Sequence, residues 1–393
     1  MSRPTQTPGR FIDVHVLHSV PFANLNRDDT NSVKTVQYGN TSRTRVSSQS
    51  WKRAARTEFQ KRIGEQALRT RRIGEAVEAE LRDARQWPAD LAAKAGRHVA
   101  TGSGIKTETP KDKDAAKTST SPLLTSAMLY VPATAVQSLA DLAEAHRDEI
   151  TAAKDTGKTT KSVLPVTEIR DILRSRNGVI NLFGRMLAEI DNSSVDGAVQ
   201  VAHSFTTHTT DVEVDYFNAV DDVSSAWADE TGSAHMGTIE YSAGVFYRYA
   251  TVDLDDLLRN LGDDLDAART LTAAFLDAFL LSLPQAKRTA TAPHTIPDLA
   301  HLVVRRDRPI SYAAAFEKPV HAARDGGHAA PSRAALDSYA KAAATLLGSR
   351  SALNSSWVST DDVNLAHLGV RETSFDTLID NAVTAALKAE TPE

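Results

Sequence analysis

The chain changes hydrophobic period several times along its length. Residues 11–20 (FIDVHVLHSV) are a run of apolar and β-branched positions, the pattern of a buried strand. Residues 21–41 are polar and punctuated by Asn, Asp and Gly, which predicts a long loop. Ser47 and Ser48 then precede an apolar stripe at Trp51, Ala55 and Phe59. That i, i+4, i+8 spacing is one face of a helix, and a serine oxygen at its start can satisfy its first free N–H groups. Lys52, Arg53 and Arg56 fall on another side. From residue 64 to about 190 the pattern is mostly helical, with polar interruptions at 101–121 and 155–162 that read as flexible loops. Strand patterns return at 197–208 and 238–252, separated by a stretch holding Tyr216, Phe217, Trp227 and many carboxylates. A helical stretch covers 253–283, a short strand 300–304, and helices at 332–347 and 373–388 close the chain.

Without the insertions this order is βαββαβ, which predicts an α+β fold with a modified ferredoxin-like sheet. RNA-recognition domains share the order, but the order alone carries no function. Their exposed sheet aromatics are not evident. Tyr241, Phe246, Tyr247 and Tyr249 read better as core packing or sheet filling.

Composition narrows the class. The chain has 393 residues, 41% of them hydrophobic, enough for a sizeable core and two or three packed units. It has no cysteine, which excludes a disulfide framework and thiolate metal sites and fits a reducing compartment. Residues 1–10 are polar and proline-rich, without a signal pattern. The longest apolar helix candidate, 271–283, is interrupted by Asp277 and too short for a bilayer. A cytoplasmic protein without membrane contact is expected.

The net charge of -5 does not point to nucleic acid, but its distribution does. Residues 41–72 carry ten basic side chains against Glu58 and Glu65, a local +8 that leaves -13 for the rest. This is either a solvated helix face or a footprint for a polyanion, and charge alone does not choose. The sharpest segment is 43–53 (RTRVSSQSWKR). Arg43 and Arg45 alternate on an extended approach, so their side chains should share a side. The hydroxyls and free N–H groups of a helix start follow, with Lys52 and Arg53 one turn in. Such a cradle suits phosphates, which position a strand without reading its bases.

Other chemistry is weaker. Residues 152–159 (AAKDTGKT), with Gly157 and Lys158, fit the loosest phosphate-loop template, yet a helical pattern precedes them where a strand is needed. The twelve histidines form no HExxH pair, and His15 and His18, three apart on a strand, should face opposite sides. No G-x-S-x-G or clear Ser/His/Asp set appears, and no cofactor or metal is expected.

The segments FIDVHVLHSVPFANLNRDD (11–29), RTRVSSQSWKRAAR (43–56), VDGAVQVAHSFTTHTTDVEVDYFNAVDD (195–222), GSAHMGTIEYSAGVFYRYA (232–250) and AFEKPV (315–320) closely resemble the CasC family, the backbone subunit of type I-E CRISPR Cascade complexes. Residues 64–182 and the last seventy or so match only loosely. The resemblance implies a right-hand shape. Its palm, an RNA-recognition-like fold, would comprise 1–63, a strand at 191–205, and 238–393. Helical fingers would span 64–190 and a β-hairpin thumb 206–237. Subunits would stack head to tail along the crRNA, each thumb displacing one base at regular intervals so that the others pair with target DNA. The implied partners are the crRNA, target DNA through the guide hybrid, further copies of the chain, and the CasA, CasB, CasD and CasE subunits.

The same resemblance places Arg43, Arg45, Ser48, Gln49, Lys52 and Arg53 at the family's RNA-binding helix start, with Asn26 and Arg27 similarly placed. Met186, in FGRM, matches a methionine that packs against bases; plain core packing is its alternative. Tyr216 and Phe217 occupy the thumb's aromatic pair, where the family commonly has Trp-Phe. Lys287, Arg288 and Lys318 are basic positions near the later motifs. Asp28 and Asp29 lie in the loop where related type III proteins carry an RNA-cutting aspartate. Type I-E members carry the same NRDD run, so loop structure or subunit contact is expected there, with a metal-dependent endoribonuclease as the alternative.

Overall fold

The computed structural model describes residues 10–109, 122–154, 161–220, 233–350 and 352–387. The chain divides into two compact units, one formed by Met1–Phe59 with Val199–Glu393, the other by Gln60–Ala198.

The larger unit is built on strand β1 (Phe11–Ala23), almost entirely buried, as its apolar run requires. The chain then forms a small hairpin, β2 (Thr35–Tyr38) and β3 (Thr41–Val46), and enters helix α1 (Ser48–Ile63). Trp51, Ala55 and Phe59 are the buried stripe of that helix. Strands β4 (Val199–Val201), β5 (Ser204–Thr206), β6 (Glu213–Val220) and β7 (Ser233–Asp253) follow. Asp253 caps helix α2 (Leu254–Leu261) by accepting from the N–H groups of Asp255 and Asp256. Helix α3 (Leu265–Leu281) leads to the short helix α4 (Arg288–Thr291) and to strand β8 (Leu299–Arg305). Helix α5 (Ala329–Leu347), strands β9 (Asn354–Ser359) and β10 (Val370–Arg371), and helix α6 (Phe375–Leu387) complete the unit.

In the sheet β1 lies between β8 and β7, antiparallel to both, and β4 pairs antiparallel with β7. The order β8-β1-β7-β4 is that of a βαββαβ unit, so the fold is α+β with a ferredoxin-like sheet. The sheet is extended by β9 and β10 beyond β8, and by β5, β3 and β2 on the other side. Three of these strands were not anticipated. Hairpin strand β2 is exposed along most of its length and carries no apolar alternation, while β9 and β10 sit in a polar stretch.

Both faces of the sheet are covered. Trp51 and Leu283 pack with Val20, Val46 and Phe246, whereas Leu336 and Ala340 of α5 pack with Tyr312, Phe316, Leu17, Tyr247 and Leu299. Phe246 and Tyr247 are therefore core residues, and Tyr249 donates to the buried Asp13. His15 and His18 do face opposite sides. His15 is stacked on Tyr312, with ring centroids 4.1 Å apart, while His18 meets Arg248.

Strand β7 runs on past the sheet. Its residues 242–253 pair with β1, and its earlier residues pair with β6 as a two-stranded arm. The arm's far end, with Trp227, Asp221 and Asp222, lies outside the described residues.

The smaller unit has its own core, in which Ile73, Val77, Leu81, Trp87, Val99, Leu139, Ile169 and Leu173 are buried. Its helices include Ile73–Ala79, Ala89–Gly102, Thr134–Ala145 and Val166–Arg174. The first two approach so closely at Gly74 and Gly96 that a Cβ on either would collide with the other's carbonyl. A two-stranded ladder, Ala67–Thr70 with Leu129–Pro132, was hidden from the helical reading by its shortness. Arg185 is buried, and its guanidinium donates to the carbonyls of Tyr130, Leu173, Arg174, Ser175 and Ser193.

Candidate nucleic-acid interface

The start of α1 gathers basic and donor groups at the sheet's edge. Ser47 caps the helix, its hydroxyl accepting from Ser50 N–H at 3.3 Å and its carbonyl from Trp51 N–H at 3.1 Å. Asn26 ties the preceding loop to this point, its Oδ1 accepting from Ser47 N–H at 2.8 Å. The Trp51 indole N–H donates to Ser204 Oγ at 2.6 Å, and Lys52 Nζ donates to the Val199 carbonyl at 3.2 Å. Arg45 donates to His203 Nδ1 at 3.2 Å, and the same nitrogen accepts from Ser48 N–H at 3.0 Å. Gln49 and Arg53 are exposed beside them, and Arg45, Ser48 and Lys52 are half-buried. The carbonyl of Val199 and the imidazole of His203 thus organise the cations of this helix start. His203 was not singled out from sequence, although it stands in the VAHSF segment. Partial desolvation, and then the Arg45 charge, lower its pKa below the usual histidine value.

Arg43 does not join this group. It is fully buried, donating to the carbonyls of Thr206 at 2.9 Å, Phe316 at 3.1 Å and Glu317 at 3.4 Å, and to Thr41 Oγ1 at 2.8 Å. Burial lowers its pKa. The expectation that it shares a solvent-facing cradle with Arg45 is corrected here, because the chain segment at 316–317 covers β3 at Arg43.

The remaining candidates scatter. Arg27 is exposed and donates to Asn31 Oδ1 at 2.9 Å. Lys287 N–H reaches the Asn24 carbonyl at 3.4 Å, which brings Lys287 and Arg288, both half-buried, beside the loop that carries Asn26. Lys318 is exposed, next in the chain to the Glu317 that receives Arg43. Tyr216 is 57% exposed on the arm, while Phe217 points the other way and lies over Gly237, where a Cβ would come within 2.7 Å of its ring. Met186 belongs to the smaller unit and is 88% exposed, which rules out plain core packing.

Asp28 is occupied by its own turn. Its Oδ1 accepts from Thr30 N–H at 2.9 Å, Thr30 Oγ1 at 2.8 Å and Ser32 N–H at 2.9 Å, and the Thr30 hydroxyl leads in lowering its pKa. Glu240 of β7 clamps the same loop through Ser32 Oγ and Val33 N–H. Among the described residues no cluster of three or more His, Asp or Glu could hold a metal, and no helix is long and apolar enough to cross a membrane. Gly157 and Lys158 lie outside the described residues, but a helix, Arg147–Ala152, stands before them where a phosphate loop needs a strand.

Fold and site together define an α+β protein whose ferredoxin-like sheet carries a helical insertion, a protruding hairpin and a basic helix start. The chain belongs to the family of CT1975-like proteins, whose model matches residues 12–381. It is similar to a chain of a "CRISPR RNA-guided surveillance complex, pre-nicking", at 44% identity and a TM-score of 0.87. It is also similar to a chain of a "CRISPR RNA-guided surveillance complex", at 40% identity and a TM-score of 0.77. Each match covers 96% of this chain and all of the other. No curated protein matches.

Proposed function

We propose that this chain is a non-catalytic crRNA-binding backbone subunit of a CRISPR surveillance complex of type I-E, gripping the guide by its phosphates. The observation that carries this reading is the group Arg45, Ser48, Gln49, Lys52 and Arg53 at the start of α1, in a chain similar over 96% of its length to chains of CRISPR RNA-guided surveillance complexes. Copies of the chain follow one another head to tail along the RNA. The arm of β6 and β7 is the thumb, and it displaces bases at intervals while the others stay open to target DNA. The smaller unit is the fingers, offering Met186 to the RNA. Further Cascade subunits complete the particle. The turn that occupies Asp28 speaks for a loop-forming rather than a cutting role of Asp28 and Asp29.

Binding of a single-stranded guide RNA, titrated at several salt concentrations, tests the reading. Each neutralised phosphate contributes a slope of roughly -0.7 in the log–log plot. Arg45→Ala and Lys52→Ala should each flatten the slope by about one contact. An unchanged slope in both variants removes the helix start from the interface. The assembled complex incubated with labelled complementary RNA and magnesium should leave that RNA intact; regularly spaced cuts overturn the non-catalytic assignment.

A further inference from the structure

His203 is exposed, yet its ring is fixed from one side. Nδ1 lies 3.0 Å from the backbone nitrogen of Ser48 and 3.2 Å from a guanidinium nitrogen of Arg45. Both groups can only donate, so Nδ1 accepts and the ring proton of the neutral imidazole resides on Nε2. The backbone beneath the ring is held as well. Ser204, the next residue, accepts the Trp51 indole N–H and pairs with Val46 across the ladder of β3 and β5. One imidazole therefore couples the first N–H of α1, the direction of Arg45 and an N–H that faces solvent.

We propose, on the strength of the RNA-backbone reading above, that His203 is a positioning residue of the phosphate-binding site. It holds the Arg45 guanidinium against the sheet edge, restricting a side chain that would otherwise sample many rotamers. This role differs from simple helix capping, because it acts through Arg45.

The test compares His203→Ala, His203→Asn and His203→Gln, each alone, and His203→Ala combined with Arg45→Ala, in the full-length protein with a single-stranded guide RNA. Asn places its Oδ1 where Nδ1 stands, whereas Gln reaches toward the Nε2 position. His203→Ala should weaken binding about tenfold at low salt and flatten the salt slope by about one contact. His203→Asn should restore the slope and His203→Gln should not. Added to Arg45→Ala, His203→Ala should cost much less than it does alone, since the two share one function. Thermal melting of each variant reports the cap separately. A lowered melting temperature with an unchanged slope, or additive effects in the double variant, would reduce His203 to a cap and overturn the proposal. If the wild type shows no salt-dependent RNA binding, the parent reading fails instead. If Arg45→Ala weakens binding while His203→Ala behaves as wild type, only the role of His203 falls.

Discussion

Arg43 and Arg45 show how far a residue's task depends on what lies over it. Strand alternation gives both the same side of β3, and the sequence offers nothing to separate them. The cover at 316–317 extends over Arg43 only, whose guanidinium becomes a clamp on three carbonyls, while Arg45 meets His203 at the edge. Arg43→Ala should therefore act mainly on stability. It leaves those carbonyls without their donor, a loss of about 2–4 kcal/mol readable as a lower urea midpoint; a variant as stable as wild type would contradict the clamp. The buried histidines give a second expectation. Burial, followed by the Arg248 charge, lowers His18 to about 3; burial also lowers His301 to about 4 and holds His15 well below the ordinary 6.5. All three stay neutral in the folded chain, while the unfolded chain takes up their protons below about pH 6.5. Their contribution is complete above that pH and is lost as pH falls toward the native values. Each contributes a slope of about 1.4 kcal/mol per pH unit, about 4 for the three. Buried Asp13, raised chiefly by desolvation, works in the opposite sense over its own range. Urea midpoints should drop steeply between pH 6.5 and 5, and a flat profile there would show that these imidazoles titrate freely.

At the scale of elements, what was legible followed burial. The stripe of Trp51, Ala55 and Phe59 and the apolar run of β1 announced themselves because each buries a regular face. Hairpin strand β2 did not, since it is largely exposed and shows no alternation of burial for a pattern to betray; β6 was expected only through the resemblance, as part of the thumb hairpin. The basic helix start was visible in the sequence, but His203 was not. Its role depends on β5 pairing with β3 across some 160 residues of chain, including the whole smaller unit. The arm of β6 and β7 is a two-stranded ribbon, marginal in water without further support. Phe217 folded over Gly237 is one such support, and a larger residue at Gly237 must displace that ring. Gly237→Val should leave the melting of the larger unit unchanged and disturb the arm alone. The readout is chemical probing of the assembled guide, in which the periodic hyperreactive bases of the wild type should fade. If the pattern survives both this change and removal of residues 212–229 behind a Gly-Ser bridge, base displacement belongs elsewhere, with Met186 the next residue to test.

At the scale of the molecule, the insertion between α1 and β4 is a unit with its own core rather than a long loop, which explains why the sheet tolerates so distant a connection. A chain that binds its like through two different surfaces can propagate instead of closing, so the length of RNA should fix the number of subunits. Light scattering on guides of increasing length should show stepwise masses. A constant mass on all guides would argue for a closed assembly.

The continuity of β7 has a consequence for descent. One strand of 21 residues serves both the sheet and the arm, with the handover between Tyr241 and Ser242. Because side chains alternate, losing or gaining a single residue near that handover would turn the arm over while the sheet stayed as it is. Val214 and Tyr216 would trade sides with Glu213, Asp215 and Phe217. An odd change in length escapes that inversion only where a bulge takes it up, as the register shifts between Val20 and Ala23 of β1 and between Ala219 and Val220 of β6 do. Away from such bulges, the reach of the arm can change only by whole pleats.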